Sequence, residues 1–318
     1  MIRYLTSRLL ALMMTLLAIS LVIFMILALA PGDPMSEFAS NPAITAAVRE
    51  NIRRSLGLDQ PLPVRYVKWL GALLHGDLGY SFTSRSPVSG LILQRLPTTL
   101  WIAGVSYLIS VAIALPLGVF SALRRDSVAD QVLTSAVLMG FSLPTFVTSL
   151  LMIILFSVQR RWLPFIYDST LVVRDWSSFV LQLKQSLMPI ATLVLFQTAA
   201  LMRFVRAAML DELPQNYIRT AHAKGLSKRR IVLAHALRNA LIPVVTLVAL
   251  DLPSLFTGSL VVEQVFRVPG IGALLVESIS RSDTPVVMAI AFIFSVLVVL
   301  MNLVADLLYG WLDPRVIG

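Results

Sequence analysis

Long apolar runs decide what this chain can fold into. Six segments (9–30, 98–122, 131–158, 188–210, 239–262 and 285–309) each hold about 20 or more predominantly apolar residues, the length a helix needs to cross a hydrocarbon layer. Backbone N–H and C=O groups find no partner in lipid, so only helices or closed barrels can span it, and nothing here alternates like a barrel strand. The charge content agrees: 14% of the 318 residues are charged and 57% hydrophobic, whereas a soluble domain carries about 25% charged. The expected fold class is all-α, a polytopic membrane protein of six transmembrane helices.

Arg3 and Arg8 precede the first run and hold its start on the cytoplasmic side. The run ends Ala28-Leu29-Ala30, like a signal-peptide cleavage site. Its apolar stretch of about 22 residues exceeds the roughly 7–15 of a signal core, which favours an uncleaved anchor. Six spans then put both termini in the cytoplasm. Lys and Arg divide evenly between the two sides, but the inside segments are less than half as long, so the basic density is inside and the acids fall mostly outside. The net charge of +9 is thereby explained by topology, without a nucleic-acid partner.

The chain divides into a first span (1–30), an external region (31–97), a core of five spans (98–310) and a cytoplasmic tail (311–318). The external region is too long for a connector. It starts PGDP at 31–34, and Gly57, Pro61, Pro63, Gly76, Gly79 and Pro87 mark turns. Segments 43–56 and 62–74 have helical periodicity. Two readings stand: a small extracytoplasmic cap, or two amphipathic helices lying on lipid headgroups.

One polar segment, 211–238, interrupts the core: DELPQNYIRTAHAKGLSKRRIVLAHALR. Topology makes it the longest cytoplasmic loop. Asp211 and Glu212 before Pro214 suit a helix start, with acids near the positive dipole end. A helix from Gln215 to Lys224 is expected, with Gly225 as its left-handed C-cap, Lys224 at the negative end and Ser227 capping the next helix. Lys228, Arg229 and Arg230 fall in that helix's first turn, where the dipole disfavours cations, so retention inside or a partner must explain them. The pattern also looks like a DNA-binding helix-turn-helix, but the second helix runs into the membrane at Pro243, which leaves no recognition helix for a groove.

The stretch YIRTAHAKGLSKRRIVLAHALRNALIPVVT resembles the cytoplasmic loop of the dipeptide, oligopeptide, glutathione and nickel group of ABC-importer permeases. The similarity continues through PGDP, LGLDQPLPVRY (56–66), HGDLGYSF (75–82), VVEQVFRVPGIGALLVESI (261–279), DTPVV (283–287) and NLVADLLYGWLDPR (302–315). The resemblance implies a type I ABC importer transmembrane fold in a bacterial inner membrane. It also implies a coupling segment seated in a cleft of a separate ATPase, formed by Arg219, Thr220, Ala221, His222, Ala223, Lys224, Gly225 and Ser227. The family pattern is Glu-Ala-Ala, three residues, Gly, nine residues, Ile-x-Leu-Pro. This chain has Arg219-Thr220-Ala221, then Gly225, then His235-x-Leu237-Arg238, and the departures place it in the peptide-type branch. The implied partners are a homologous second permease subunit, two ATPase subunits carrying ATP and magnesium, an extracytoplasmic substrate-binding protein and membrane lipid. Selection among peptide, glutathione and nickel rests with the binding protein, and peptide is expected on family frequency alone.

The chain has no GxxxxGK[ST] phosphate loop, so ATP hydrolysis is expected on a partner and no cofactor on this chain. Without cysteine there is no disulfide, thiolate metal site or thiol chemistry, and His75, His222 and His235 are too scattered for a metal cage. No catalytic set occurs at motif spacing, so an enzyme is not expected. Asp251 and Asp306 lie within spans, where a charge is costly. Asp251 is read either as a translocation-pathway residue meeting a substrate amine or as a carboxyl satisfied by a neighbouring helix; Asp306 is read as structural. An ion-gradient transporter using both is the alternative, although no internal repeat of spans supports it. Pro116, Pro144, Pro189, Pro243 and Pro253 fall within or near spans, where proline kinks a helix.

Overall fold

In a computed structural model, residues 2–29 and 59–312 are described. The PGDP turn at 31–34, the helix expected at 43–56 and the tail from 313 lie outside them. Among the described residues the regular elements are helices, and one bridge pairs Tyr80 with Pro87. They are α1 (Ile2–Leu29), α2 (Leu62–Leu74), α3 (Val88–Leu123), α4 (Val128–Ser142), α5 (Thr145–Met152, prolonged by a π-helical Ile153–Gln159) and α6 (Trp176–Glu212). There follow α7 (Asn216–Ala223), α8 (Lys228–Asp251), α9 (Ser254–Phe266), α10 (Ile271–Ser280) and α11 (Thr284–Leu312).

Among the described residues five helices are long and apolar enough to cross a membrane: Leu10–Leu29, Val88–Leu123, Trp176–Glu212, Lys228–Asp251 and Thr284–Leu308. Two bent pairs bring the count to as many as seven. The first, fourth and sixth apolar runs coincide with α1, α6 and α11, though α6 is much longer than its run. A capping box starts it, in which Asp175 accepts from the Ser178 N–H and the Ser178 hydroxyl takes the Asp175 N–H. Its 37 residues make a rod of about 55 Å.

The third and fifth runs do not form single straight helices. The run 131–158 breaks into α4 and α5, bent by 93°. Proline disfavours helical backbone in the residue before it, and Leu143, preceding Pro144, is extended at φ −83°, ψ 128°. The run 239–262 breaks near Pro253, so that α8 ends at Asp251 and α9 begins at Ser254. The second bent pair, Ser259–Phe266 with Ile271–Ser280 at 79°, has no counterpart among the six runs. Its charges (Glu263, Arg267 and Glu277) hide it from an apolar-run reading.

The chain forms two compact units, Met1–Pro97 with Ala273–Leu300, and Thr98–Gly272 with Met301–Gly318. In the first, α2 packs on α1 and α11 through Phe24, Tyr66, Trp69 and Phe292. The loop after α2 closes on the buried Asp283. Its carboxylate accepts from the Ser81 hydroxyl (2.5 Å), the Phe82 N–H (3.0 Å) and the Thr83 N–H (3.2 Å). The motifs HGDLGYSF and DTPVV, some 200 residues apart, thus meet at one carboxylate.

In the second unit α3 lies along α6. Ala103, Tyr107 and Ala114 pack on Leu201 and Met202, and a Cβ on Gly118 would stand 2.7 Å from Val205 Cβ, so glycine permits the close approach. Buried hydroxyls stay satisfied by bonding back one turn, Ser106 to Ile102 O (2.5 Å) and Ser110 to Ser106 O (2.7 Å). Just after Pro97, which brings no N–H to the ladder, α3 widens into a π-helical turn, Leu100–Gly104.

Candidate functional site

The polar segment forms a capped helix-turn-helix whose inner face belongs to the core of the second unit. Helix α6 does not stop before Asp211 and Glu212 as the acid-then-proline order suggested; it carries them in its last turn. Pro214 ends it, since proline fits one or two positions beyond a helix C-cap and not the helix interior. Helix α7 starts from Gln215 in extended conformation. It ends on Gly225 at φ +72°, with Gly225 N–H bonded to His222 O (2.9 Å) and Leu226 N–H to Ala221 O (3.3 Å). These two bonds are the Schellman pattern, and Gly225 takes the left-handed position that the sequence predicted for it. Ser227 takes the N-cap position of α8 but its side chain makes no capping bond. Beyond Arg230 the expected α-helix becomes a π-helical turn, Ile231–Ala236, before resuming at Leu237.

Ile218 and Ala221 of α7 and Ile231, Val232 and Ala236 of α8 are buried in one cluster with Ala122 of α3 and Val205, Ala208 and Met209 of α6. Leu226, the residue after the glycine, packs against the same cluster. Of the coupling residues expected from the resemblance, Ala221 is therefore inside, only 5% exposed. Arg219, Thr220, His222, Ala223, Lys224, Gly225 and Ser227 are exposed, together with Lys228, Arg229 and Arg230. The outer face is strongly basic, and His222 and Lys224 suit the negative end of α7. Tyr217 donates to Glu212, tying α7 back to the foot of α6. Burial, with the neighbouring Glu212 carboxylate, raises the Tyr217 phenol above its ordinary range and keeps it a donor.

A second tie holds α4 to α6. Arg206 grips Asp130 with two hydrogen bonds, Nε to Oδ1 at 3.1 Å and a terminal nitrogen to Oδ2 at 2.8 Å. Ser121 and the Asp126 N–H complete the shell around the buried carboxylate. Nothing in the sequence marks Arg206 as half of a pair. Its partner is 76 residues away, and no local spacing betrays it.

The structure does not bring Asp251 to this surface. It closes the other end of α8, about 35 Å along the helix from Lys228. There its Oδ1 accepts from the Ser254 hydroxyl at 2.6 Å, across the break into α9. Asp306 is half-buried in α11. A buried carboxylate that sequence reading passed over, besides Asp130 and Asp283, is Glu263, which is wholly enclosed. Its Oε1 accepts from Thr99 Oγ1 (2.9 Å) and Ser259 Oγ (3.1 Å), while Thr99 Oγ1 accepts the Ile271 N–H (2.8 Å). The signal for it was the pairing of an acid with Gly270 and Gly272 in one motif. Among the described residues no group of acids and histidines could hold a metal.

Known proteins are similar to this chain along its length. Residues 114–318 match the family described as binding-protein-dependent transport system inner membrane component, and residues 1–103 match its N-terminal counterpart. The chain is 41% identical over 317 residues, 99% of each chain, to the oligopeptide transport system permease protein AppB of Bacillus subtilis. It is 38% identical over 316 residues, again 99% of each, to the glutathione transport system permease protein GsiC of Escherichia coli. A solved structure, a crystal structure of an amino acid ABC transporter with histidines, shares the fold at a TM-score of 0.51 and 15% identity. That match covers 70% of this chain and 94% of the other. Full-length similarity to two transport permeases, with helices fit to cross a membrane several times, settles what kind of subunit this is: the chain belongs to the binding-protein-dependent transport system inner membrane component family and is a multi-pass, all-α permease subunit of an ABC importer.

Proposed function

We propose that this chain lines half of the translocation path of an importer for di- or oligopeptides, beside a homologous second permease subunit. Two separate ATPase subunits, which bind the ATP and magnesium, dock on the α7–α8 turn, and an extracytoplasmic binding protein delivers the substrate to the opposite face. Both termini and the α7–α8 turn then face the cytoplasm. The peptide assignment follows the relatives, of which one is an oligopeptide and another a glutathione permease.

The observation that carries the docking reading is the two-faced build of the turn. Its inner face shares one apolar cluster with α3, α6 and α8, while its outer face presents Arg219, His222, Lys224 and Lys228–Arg230, of which the last three, in the first turn of α8, have no stabilising role in their own helix. Movement of an ATPase held at the outer face reaches three membrane helices through packed side chains. Nothing in the geometry favours an ion-gradient mechanism, since Asp251 is engaged with Ser254 at a helix end.

The test is charge reversal at Arg219 and Lys224 together, both exposed and outside the cluster. In the co-expressed complex, ATPase subunits should be lost from the purified permease and ATP-dependent peptide uptake into proteoliposomes should fall at least tenfold, the fold content staying unchanged. Normal association and uptake would refute docking at this face, and uptake insensitive to ATP would refute the ATP-driven mechanism.

A further inference from the structure

Helix α2 was expected in an external cap or flat on the headgroups; its contacts run to α1 and α11, two helices long and apolar enough to cross a membrane. Its Tyr66 hydroxyl lies 2.9 Å from Ser20 Oγ of α1. The Phe24 ring is 5.4 Å from that of Tyr66 and 6.0 Å from that of Trp69, and Trp69 meets Phe292 of α11 edge-on at 6.1 Å. The two spans serve as rulers. At 1.5 Å per residue Phe24 lies about 8 Å and Ser20 about 14 Å from the Leu29 end of α1, and Phe292 lies about 12 Å from the Thr284 end of α11. Six spans put those two ends on the same side of the membrane. Two helices of opposite direction thus set Trp69 at nearly one depth, within a hydrocarbon half-layer of about 15 Å.

The chemistry of α2 fits that solvent. A phenol in hydrocarbon needs a hydrogen-bond partner, and the fully buried Ser20 supplies one. The face turned away from α1 and α11 carries Val64, Val67 and Leu74, all exposed and the last at 79%. Water would not favour such a face, but acyl chains do, and α1, on which α2 packs, likewise leaves Leu17, Leu21 and Met25 exposed. The helix's two charges, Arg65 and Lys68, stand one turn apart on long aliphatic stems that can carry them up to phosphates. At 13 residues, about 20 Å, α2 is too short to span.

We infer that α2 is a lipid-embedded helix. Val64, Val67 and Leu74 are seated among the acyl chains of the leaflet at the C-terminal end of α1, and Arg65 and Lys68 reach its headgroup phosphates. In the proposed orientation that leaflet is the external one. The inference rests on the multi-pass membrane placement and is independent of the docking and substrate readings.

The chain has no cysteine, so single-cysteine variants carry a label at one site without further changes. Val67→Cys and Leu74→Cys, each labelled with bimane in the assembled complex in phosphatidylethanolamine–phosphatidylglycerol nanodiscs, should lose most of their emission to lipids bearing a doxyl group on the acyl chain and little to aqueous iodide. Asp126→Cys, in the exposed loop before α4, provides the aqueous control and should show the reverse. Iodide quenching at both α2 positions would overturn the inference in favour of an aqueous cap. Quenching by neither agent would overturn it in favour of a protein cover, such as residues 30–58 or the second subunit. If a labelled variant fails to assemble, the emission lost on Trp69→Phe substitution reads the same depth: brominated lipid should quench that component, and its insensitivity would refute the placement.

Discussion

The carboxylate of Glu263 occupies the space that a side chain on residue 270 would need: a Cβ built on Gly270 meets its Cδ and Oε1 at 2.2 Å. Gly272 is similarly confined, 2.7 Å from the Leu260 backbone and 2.9 Å from Glu263 Oε2. The acid and the glycines of this motif are one packing unit, pinned to α3 by Thr99. Gly270→Ala should therefore destabilise the second unit by about 1–3 kcal/mol through overpacking. Glu263→Ala on its own should also destabilise, because Thr99 and Ser259 lose their acceptor. The double variant should be less destabilised than the sum of the two. Thermal unfolding in detergent measures all three, and strict additivity would refute the shared space.

Gly225 makes a different prediction. A Cβ there meets nothing within 4 Å, so Gly225→Ala adds no clash, only the backbone strain of φ +72°. The expected cost is about 1 kcal/mol. Protease sensitivity between α7 and α8 should rise while the remainder of the unit keeps its protection. A wholesale loss of fold would show that the position does more than terminate a helix.

The Asp130–Arg206 pair is buried on the acid side, at 5% exposure against 26% for the arginine. Asp130→Ala should cost about 3 kcal/mol, since it strands a guanidinium among the helices. Arg206→Lys should recover only part of the bond energy, because an ammonium cannot grip both oxygens at once. Asp130→Ala combined with Arg206→Met should be closer to wild type than Asp130→Ala alone, as read by unfolding midpoints.

The start of α6 should respond to acid. The Ser178 and Ser177 hydrogen bonds hold the Asp175 carboxyl below its ordinary range. A depressed folded pKa means that its contribution is fully present above the unfolded value of about 3.9, and is lost as pH falls through the lower, folded value. Amide protection in the first turn of α6 should weaken over that acid window. Asp175→Asn, which keeps an N-cap acceptor but has no carboxyl to protonate, should remove the dependence. A pH response that persists in Asp175→Asn would assign it elsewhere.

The parts of this fold that were legible in the sequence are those fixed by local rules. Twenty apolar residues must span, so α1, α6 and α11 stand where their runs lie. Gly225 has to be the left-handed residue of a helix end, because the periodicity on either side leaves it no other place. Pro144 was legible as a disturbance but not as a 93° break; the angle depends on what packs on each side. Non-local pairings were beyond reach. Ser81 with Asp283 and Asp130 with Arg206 are hydrogen bonds between distant segments, and no spacing announces them. The burial of Ala221 was missed for a related reason: only packing tells the inner face of the α7–α8 turn from the outer.

The 37 residues of α6 form a single helix between the Asp175 capping box and Pro214, with Pro189 removing one backbone hydrogen bond about a third of the way along it. From Pro189 to the Glu212 foot the ladder is uninterrupted, so a displacement at that foot is carried at least as far as Pro189 before the helix can bend. Tyr217 ties the foot to α7, and Arg206 clamps the rod to α4 just above. A push on the turn is therefore converted into a tilt of one strut, with the clamp as fulcrum. If an ATPase docks on the turn as proposed, the stroke it must deliver is set by the ratio of the two arms of that lever rather than by the softness of the membrane domain.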